Sequence, residues 1–127
     1  MRGNPPPETA SAMQRGDIWY VDLEPSRASE ANKTRPAVIV SNDRANATAS
    51  RLGRGVITVV PVTSNVDRIY PFQVLLQAPD SGLAVASKAQ AEQVRSIAAQ
   101  RLIRRIGRVS ARELAELDDA LRLHLAL

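Results

Sequence analysis

The sequence contains no cysteine and a single histidine, His124. Without cysteine there are no disulfides, no thiolate metal sites, no iron–sulfur ligation and no cysteine nucleophile. With one histidine, a multi-histidine metal site is excluded as well. Aromatic residues make up only 3% of the chain, namely Trp19, Tyr20, Tyr70 and Phe72. The core must therefore be built from Val, Ile, Leu and Ala, and single-stranded nucleic acid would find few stacking platforms. No apolar run approaches the roughly 20 residues that span a bilayer, and the first residues lack the apolar segment of a signal peptide. These absences lead to the expectation of a cytoplasmic protein with no membrane partner.

What the sequence does contain is arginine. The 127 residues carry 17 basic and 13 acidic side chains, and 15 of the bases are arginine. Residues 1–109 hold 15 bases and 9 acids, whereas residues 110–127 hold 2 bases and 4 acids. A basic body followed by an acidic tail suits phosphate recognition, because the planar guanidinium offers paired donors to oxyanions. At 44% hydrophobic and 24% charged, the composition is that of a folded chain of one-domain size.

Residues 1–12 include three consecutive prolines and no hydrophobic period, which predicts an extended or disordered leader before a single domain over 13–127. Residues 18–23 (Ile-Trp-Tyr-Val-Asp-Leu) read as a strand, residues 24–35 as a polar loop, and residues 36–41 as a second strand buried on both faces. Residues 42–50 suggest a short helix or turn capped by Ser41 or Asn42. Further strands are expected over 56–62, 70–76, 83–88, 91–97 and 103–109. Residues 78–82 (Ala-Pro-Asp-Ser-Gly) are turn chemistry. Ser110 and Glu113 form a capping-box pattern ahead of Leu114, Leu117, Leu121 and Leu125, which share one face of an amphipathic helix. The expected fold is mainly β (α+β), a small barrel or curled sheet of short, mostly antiparallel strands with a C-terminal helix.

Taken together, residues 13–25 (Met-Gln-Arg-Gly-Asp-Ile-Trp-Tyr-Val-Asp-Leu-Glu-Pro), Ser29 and Glu30, residues 33–42 (Lys-Thr-Arg-Pro-Ala-Val-Ile-Val-Ser-Asn), residues 60–64 (Val-Pro-Val-Thr-Ser), residues 70–72 (Tyr-Pro-Phe) and residues 92–97 (Glu-Gln-Val-Arg-Ser-Ile) resemble the MazF/PemK (Kid) toxin ribonucleases of bacterial toxin–antitoxin systems. The resemblance extends from about residue 13 to the last residue. It implies an SH3-like barrel, a homodimer, and metal- and cofactor-free cleavage of single-stranded RNA at a short sequence, leaving 2′,3′-cyclic phosphate and 5′-hydroxyl ends. It also implies a MazE-like antitoxin partner whose acidic, disordered segment would suit the basic body.

In such a reaction the substrate's own 2′-hydroxyl is the nucleophile, so the protein must supply a proton acceptor, a proton donor and positive charge at phosphorus. By the resemblance, Arg35 matches the catalytic arginine and Thr63 its partner hydroxyl. Arginine is a poor base because a guanidinium keeps its proton. That leaves Glu30 or Glu92, which match acidic positions of the family, as candidates to take the 2′-hydroxyl proton or to position Arg35. Arg27, Lys33, Ser64, Asn65 and Arg68 are candidate RNA contacts, the polar groups reading base edges and the cations adding salt-dependent affinity. Trp19 and Phe72 are read as core residues inside strands. Three positions depart from the family pattern: Ala28 where glycine is common, Gln73 where an acid is frequent, and Ala86 where a polar residue is frequent. Two other readings keep the barrel without the chemistry: a CcdB-like toxin that binds gyrase, and a catalytically silent RNA-binding module.

Overall fold

The computed structural model describes residues 13–23, 34–77 and 79–127. Among these residues seven strands run as β1 (Asp17–Asp22), β2 (Thr34–Ile39), β3 (Val56–Thr63), β4 (Gln73–Leu76), β5 (Ser87–Gln90), β6 (Arg95–Ala98) and β7 (Leu102–Arg108). Among the described residues there are also two α-helices, α1 (Asp43–Leu52) and α2 (Ala111–Leu125). The strands form one antiparallel sheet in the order β4-β5-β3-β2-β1-β7, and β6 pairs with β3 outside that path.

Alternation along the central strands gives the sheet two apolar faces. Ile18, Val38, Val60 and Val62 join Leu117 and Ala120 of α2 in one cluster, while Trp19, Val21, Ile39, Ile57 and Val59 join Ala49 of α1 in the other. β2 is accordingly buried on both faces, as its continuous apolar run predicts. Trp19 is fully buried in β1, also as predicted. Each such large side chain contributes about 1.5–3 kcal/mol by leaving water.

Helix α1 starts at Asn42, whose side chain accepts the Ala45 N–H, and it ends at Gly53 in the left-handed region. The capping box of α2 is complete: Ser110 accepts the Glu113 N–H, and the Glu113 carboxylate accepts the Ser110 N–H. On the apolar face of α2, Leu117 is buried and Leu114 and Leu121 are half-buried, but Leu125 is 49% exposed because the helix runs past the sheet.

Three expected strands are shorter or displaced. Tyr70, Pro71 and Phe72 form a turn ahead of β4 rather than its first half, closed by the Gln73 N–H donating to the Tyr70 carbonyl. Proline has no N–H for a ladder there. Residues 83–86 are not a strand, because Gly82, at φ +74°, turns the chain tightly against Ile106 before β5 begins at Ser87. Residues 91–97 divide into a 3₁₀ turn (Ala91–Gln93) and β6, so Glu92 sits in a turn and not in a strand. Phe72 is half-buried and stacks on Tyr70 with ring centroids 5.4 Å apart, so it is not a core strand residue.

Candidate active site

β2 and β3 are paired from Ala37 opposite Pro61 to Ile39 opposite Val59. The ladder does not continue past Pro36, which has no N–H to give. The two strands therefore part at their ends, and a cleft of about 370 Å³ lies at the mouth they leave. Arg35, second residue of β2, and Thr63, last residue of β3, both line it. Residues 28 positions apart in sequence are brought to one cleft by a three-pair stretch of sheet.

The Arg35 side chain is exposed, and no carboxylate among the described residues is paired with it. Thr63 is half-buried, and its Oγ1 accepts the Asn65 N–H at 3.2 Å in a local turn. Because that bond uses the oxygen as acceptor, the hydroxyl proton remains available to an oxyanion in the cleft. Ser64 adds a second exposed hydroxyl. Tyr20, Pro36 and Val62 form further lining, and the segment 83–85 supplies an apolar wall on which Val85 is 59% exposed.

The remaining sequence candidates divide. Asn65 is exposed beside the cleft, with its Oδ1 accepting the Asp67 N–H. Arg68 lies over the Tyr70 ring at 5.7 Å and donates to its hydroxyl, outside the cleft lining. Glu92 is also outside that lining. Its Oε2 accepts from Gln73 Nε2 at 2.8 Å, and its Oε1 is buried without a partner. Arg27, Glu30 and Lys33 lie outside the described residues. Among the described lining residues there is no carboxylate and no imidazole.

Sequence reasoning missed two supporting residues. Lys88, cross-strand neighbour of Thr63, is buried, and its Nζ donates to the Arg68 carbonyl at 2.6 Å, tying the segment after Thr63 to β5. Gln73 donates to Glu92 while its Oε1 accepts the Tyr70 N–H at 3.1 Å, so one amide holds both the Tyr-Pro-Phe turn and the carboxylate. An isolated buried lysine or glutamine gives no sequence signal. The departure at Gln73 from the acidic residue common in the family was the one available hint.

The family of PemK-like, MazF-like toxins of type II toxin-antitoxin systems matches residues 14–125. The endoribonuclease MazF9 of Mycobacterium tuberculosis is 73% identical over 115 residues, covering 91% of this chain and 98% of that protein. Among solved structures, an endoribonuclease from a Mycobacterial species in complex with its cognate antitoxin superposes with a TM-score of 0.72 at 22% identity, over 91% of this chain and 96% of that one. A MazE-MazF structure from Deinococcus radiodurans gives 0.66 at 25% identity, over 91% and 96% of the two chains. The chain belongs to the PemK-like, MazF-like toxin family of type II toxin-antitoxin systems.

Proposed function

We propose that this endoribonuclease toxin cleaves single-stranded RNA in the cleft between β2 and β3, with Arg35 and Thr63 acting on the scissile phosphate. The RNA's 2′-hydroxyl gives its proton to a carboxylate and attacks the adjacent phosphorus, the bond to the 5′-oxygen breaks, and that oxygen takes a proton from Arg35, which leaves a 2′,3′-cyclic phosphate and a 5′-hydroxyl. No metal or cofactor takes part. Arg35 neutralises charge that develops on the phosphorane through paired N–H donors, and Thr63 donates its hydroxyl to a non-bridging oxygen. The observation that carries this reading is the convergence at one strand-pair mouth of an exposed guanidinium, unpaired among the described residues, and a hydroxyl whose oxygen is used only as acceptor there.

Of the two candidate carboxylates, Glu30 is the better proton acceptor and Glu92 the better positioning group. Glu92 is bonded to Gln73 and does not line the cleft, whereas Glu30 belongs to the segment that leads directly into β2. Ser64 and Asn65 read base edges beside Thr63, and Arg27, Lys33 and Arg68 add backbone affinity. The partners are RNA, a MazE-like antitoxin whose acidic segment competes for the cleft, and a second copy of the chain. Leu123, Leu125 and Leu127, at 58%, 49% and 84% exposure, leave an apolar end on α2 that a second copy would cover.

Digestion of mixed RNA in the presence of EDTA, followed by sequencing of 5′-hydroxyl ends, tests the proposal. A short shared motif at the ends, absent with Arg35→Ala at equal folded concentration, is the expected result. Scattered ends, or cleavage that persists in Arg35→Ala, would overturn it.

A further inference from the structure

Strand β7 and the turn residue just before it, Arg101, together carry four arginines, and three of them are engaged in holding the fold. Arg105 and Arg108 pair with the buried Asp17 at 3.4 and 3.2 Å, and Arg101 donates to the Asp22 carbonyl at 3.2 Å. Arg104 differs. Its guanidinium lies over the Tyr20 ring at 4.6 Å, and among the described residues it has no carboxylate or carbonyl partner.

The sheet register puts this pair on the cleft side. Tyr20 of β1 stands directly opposite Pro36 of β2 on one side and Arg104 of β7 on the other. Residues directly opposite in an antiparallel sheet project from the same face. Pro36 and Tyr20 both line the cleft that holds Arg35 and Thr63, so the row Pro36, Tyr20, Arg104 runs from the cleft floor to an exposed cation. Two strand spacings, roughly 10 Å, separate the ends of that row. The ring holds the guanidinium by cation–π attraction but offers no oxygen beneath it, so the N–H donors stay available to an oxyanion.

We propose that Arg104, seated on Tyr20, is a second phosphate-binding residue of this cleft, holding the RNA backbone on the β1–β7 side while Arg35 acts at the scissile phosphate. This rests on the ribonuclease reading of the cleft. The contact is to a phosphate that does not react, so it contributes affinity and register and not chemistry. A phosphate contact on single-stranded nucleic acid contributes about 0.7 to the slope of log affinity against log salt.

The test uses the full chain and a fluorescein-labelled RNA of mixed sequence with every 2′-hydroxyl methylated, which keeps the phosphates and removes the nucleophile. Binding is followed by anisotropy across a potassium chloride titration for the native chain, Arg104→Gln, Arg104→Lys and Arg112→Gln. Arg112 is an exposed residue of α2 paired with Glu116, and it controls for the loss of one positive charge anywhere on the surface. Arg104→Gln is expected to lower the salt slope by about 0.7, weaken binding severalfold, and raise KM for cleavable RNA far more than it lowers kcat. Arg104→Lys should keep most of the slope, and Arg112→Gln should leave it at the native value. A slope for Arg104→Gln no different from that for Arg112→Gln overturns the role of Arg104 while native cleavage leaves the cleft assignment standing. Failure of the native chain to cleave unmodified RNA overturns the reading beneath it.

Discussion

Replacing Gly82 with alanine perturbs both the fold and the cleft, and its cost separates into two parts that other glycines isolate. Gly82 has φ +74°, and a Cβ there would stand 2.3 Å from the Ile106 carbonyl oxygen and 2.6 Å from its Cγ2. The left-handed backbone costs an L-residue about 1–2 kcal/mol. Forcing a methyl against backbone that cannot swing away costs about 1–3 kcal/mol. At Gly53, φ is +68° but nothing lies within 4 Å, so Gly53→Ala carries the first cost alone. At Gly107 there is no positive φ, yet a Cβ would meet the Asp80 and Ser81 carbonyl oxygens at 2.3 and 2.4 Å, so Gly107→Ala carries the second alone. Urea unfolding at constant m-value should therefore give losses of about 1–2 kcal/mol for Gly53→Ala and about 2–5 kcal/mol for Gly82→Ala. Because Gly82 leads straight into the apolar wall at 83–85, Gly82→Ala should also raise KM for RNA under conditions where the protein is fully folded, and Gly53→Ala should not. If Gly82→Ala costs no more than Gly53→Ala, Gly82 does not approach Ile106 of β7 as closely as described and the wall has another origin.

Arg35→Ala should lower kcat at least about 100-fold, and Arg35→Lys should restore only part of it, because an ammonium cannot offer two parallel donors to a phosphate; single-turnover cleavage of an RNA carrying the mapped site measures both. Thr63→Val, which keeps the shape and removes the donor, should lower the same rate, and Thr63→Ser should retain most of it; equal rates for valine and threonine would remove Thr63 from the chemistry. Gln73→Glu would bring a second carboxylate to Glu92 in place of a 2.8 Å hydrogen bond, so one of the two must hold a proton in the folded state. Protonation is easier in the folded pair than in the unfolded chain, so this variant should lose stability as pH rises and regain it in acid, seen as a melting-temperature difference from the native chain that shrinks on acidification. In pH–rate profiles, activity that depends on a deprotonated carboxylate falls as pH falls. Glu30→Gln should abolish that acid limb with a low residual rate, and Glu92→Gln should keep the limb; the reverse pattern would exchange their roles.

The fold was legible wherever one local rule decided the outcome. Continuous β-branched runs marked β2 and β3, and the Ser110 and Glu113 pair marked the start of α2. It was illegible where tertiary contact overrode local pattern. The Tyr-Pro-Phe segment alternates like a strand, yet the Gln73 side chain and the missing proline N–H fold it into a turn. The residues after Gly82 are apolar enough for a strand, but the close approach of Gly82 to Ile106 leaves them as cleft wall. For the site, the resemblance supplied Arg35 and Thr63, and no periodicity could have paired them. What joins them is the β2–β3 register and its end at Pro36, a long-range fact that sequence spacing does not encode. The roles of Lys88 and Gln73 were hidden for a related reason, although Gln73 stood out as a departure from the family: each acts by holding another group, and residues of that kind have no spacing of their own.

The arginine content that distinguished the sequence is not a count of phosphate sites. Arg15 joins the start of β1 to three other parts of the fold, donating to the Val40 carbonyl at 2.9 Å and to Asp118 of α2, while its own backbone N–H reaches Asp43 at 2.7 Å. Arg105 and Arg108 neutralise Asp17, which is 1% exposed and would be costly to bury unpaired. Arg112 and Arg122 pair with acids on their own helix, where exposed ion pairs contribute little. A basic body could thus arise entirely from structural pairing, and net charge would not distinguish that case from an RNA-binding surface. The distinction lies in which guanidiniums lack an acid. Among the described residues that line or border the cleft, Arg35 and Arg104 are of this kind, one at the mouth of β2 and β3 and the other on the Tyr20 ring. On the proposed reading, an antitoxin segment rich in carboxylates would pair these two guanidiniums, which carry no acid among the described residues. If the proposed roles of both arginines hold, RNA and antitoxin compete for the same two guanidiniums, and an Arg35 and Arg104 double substitution should weaken binding of both together.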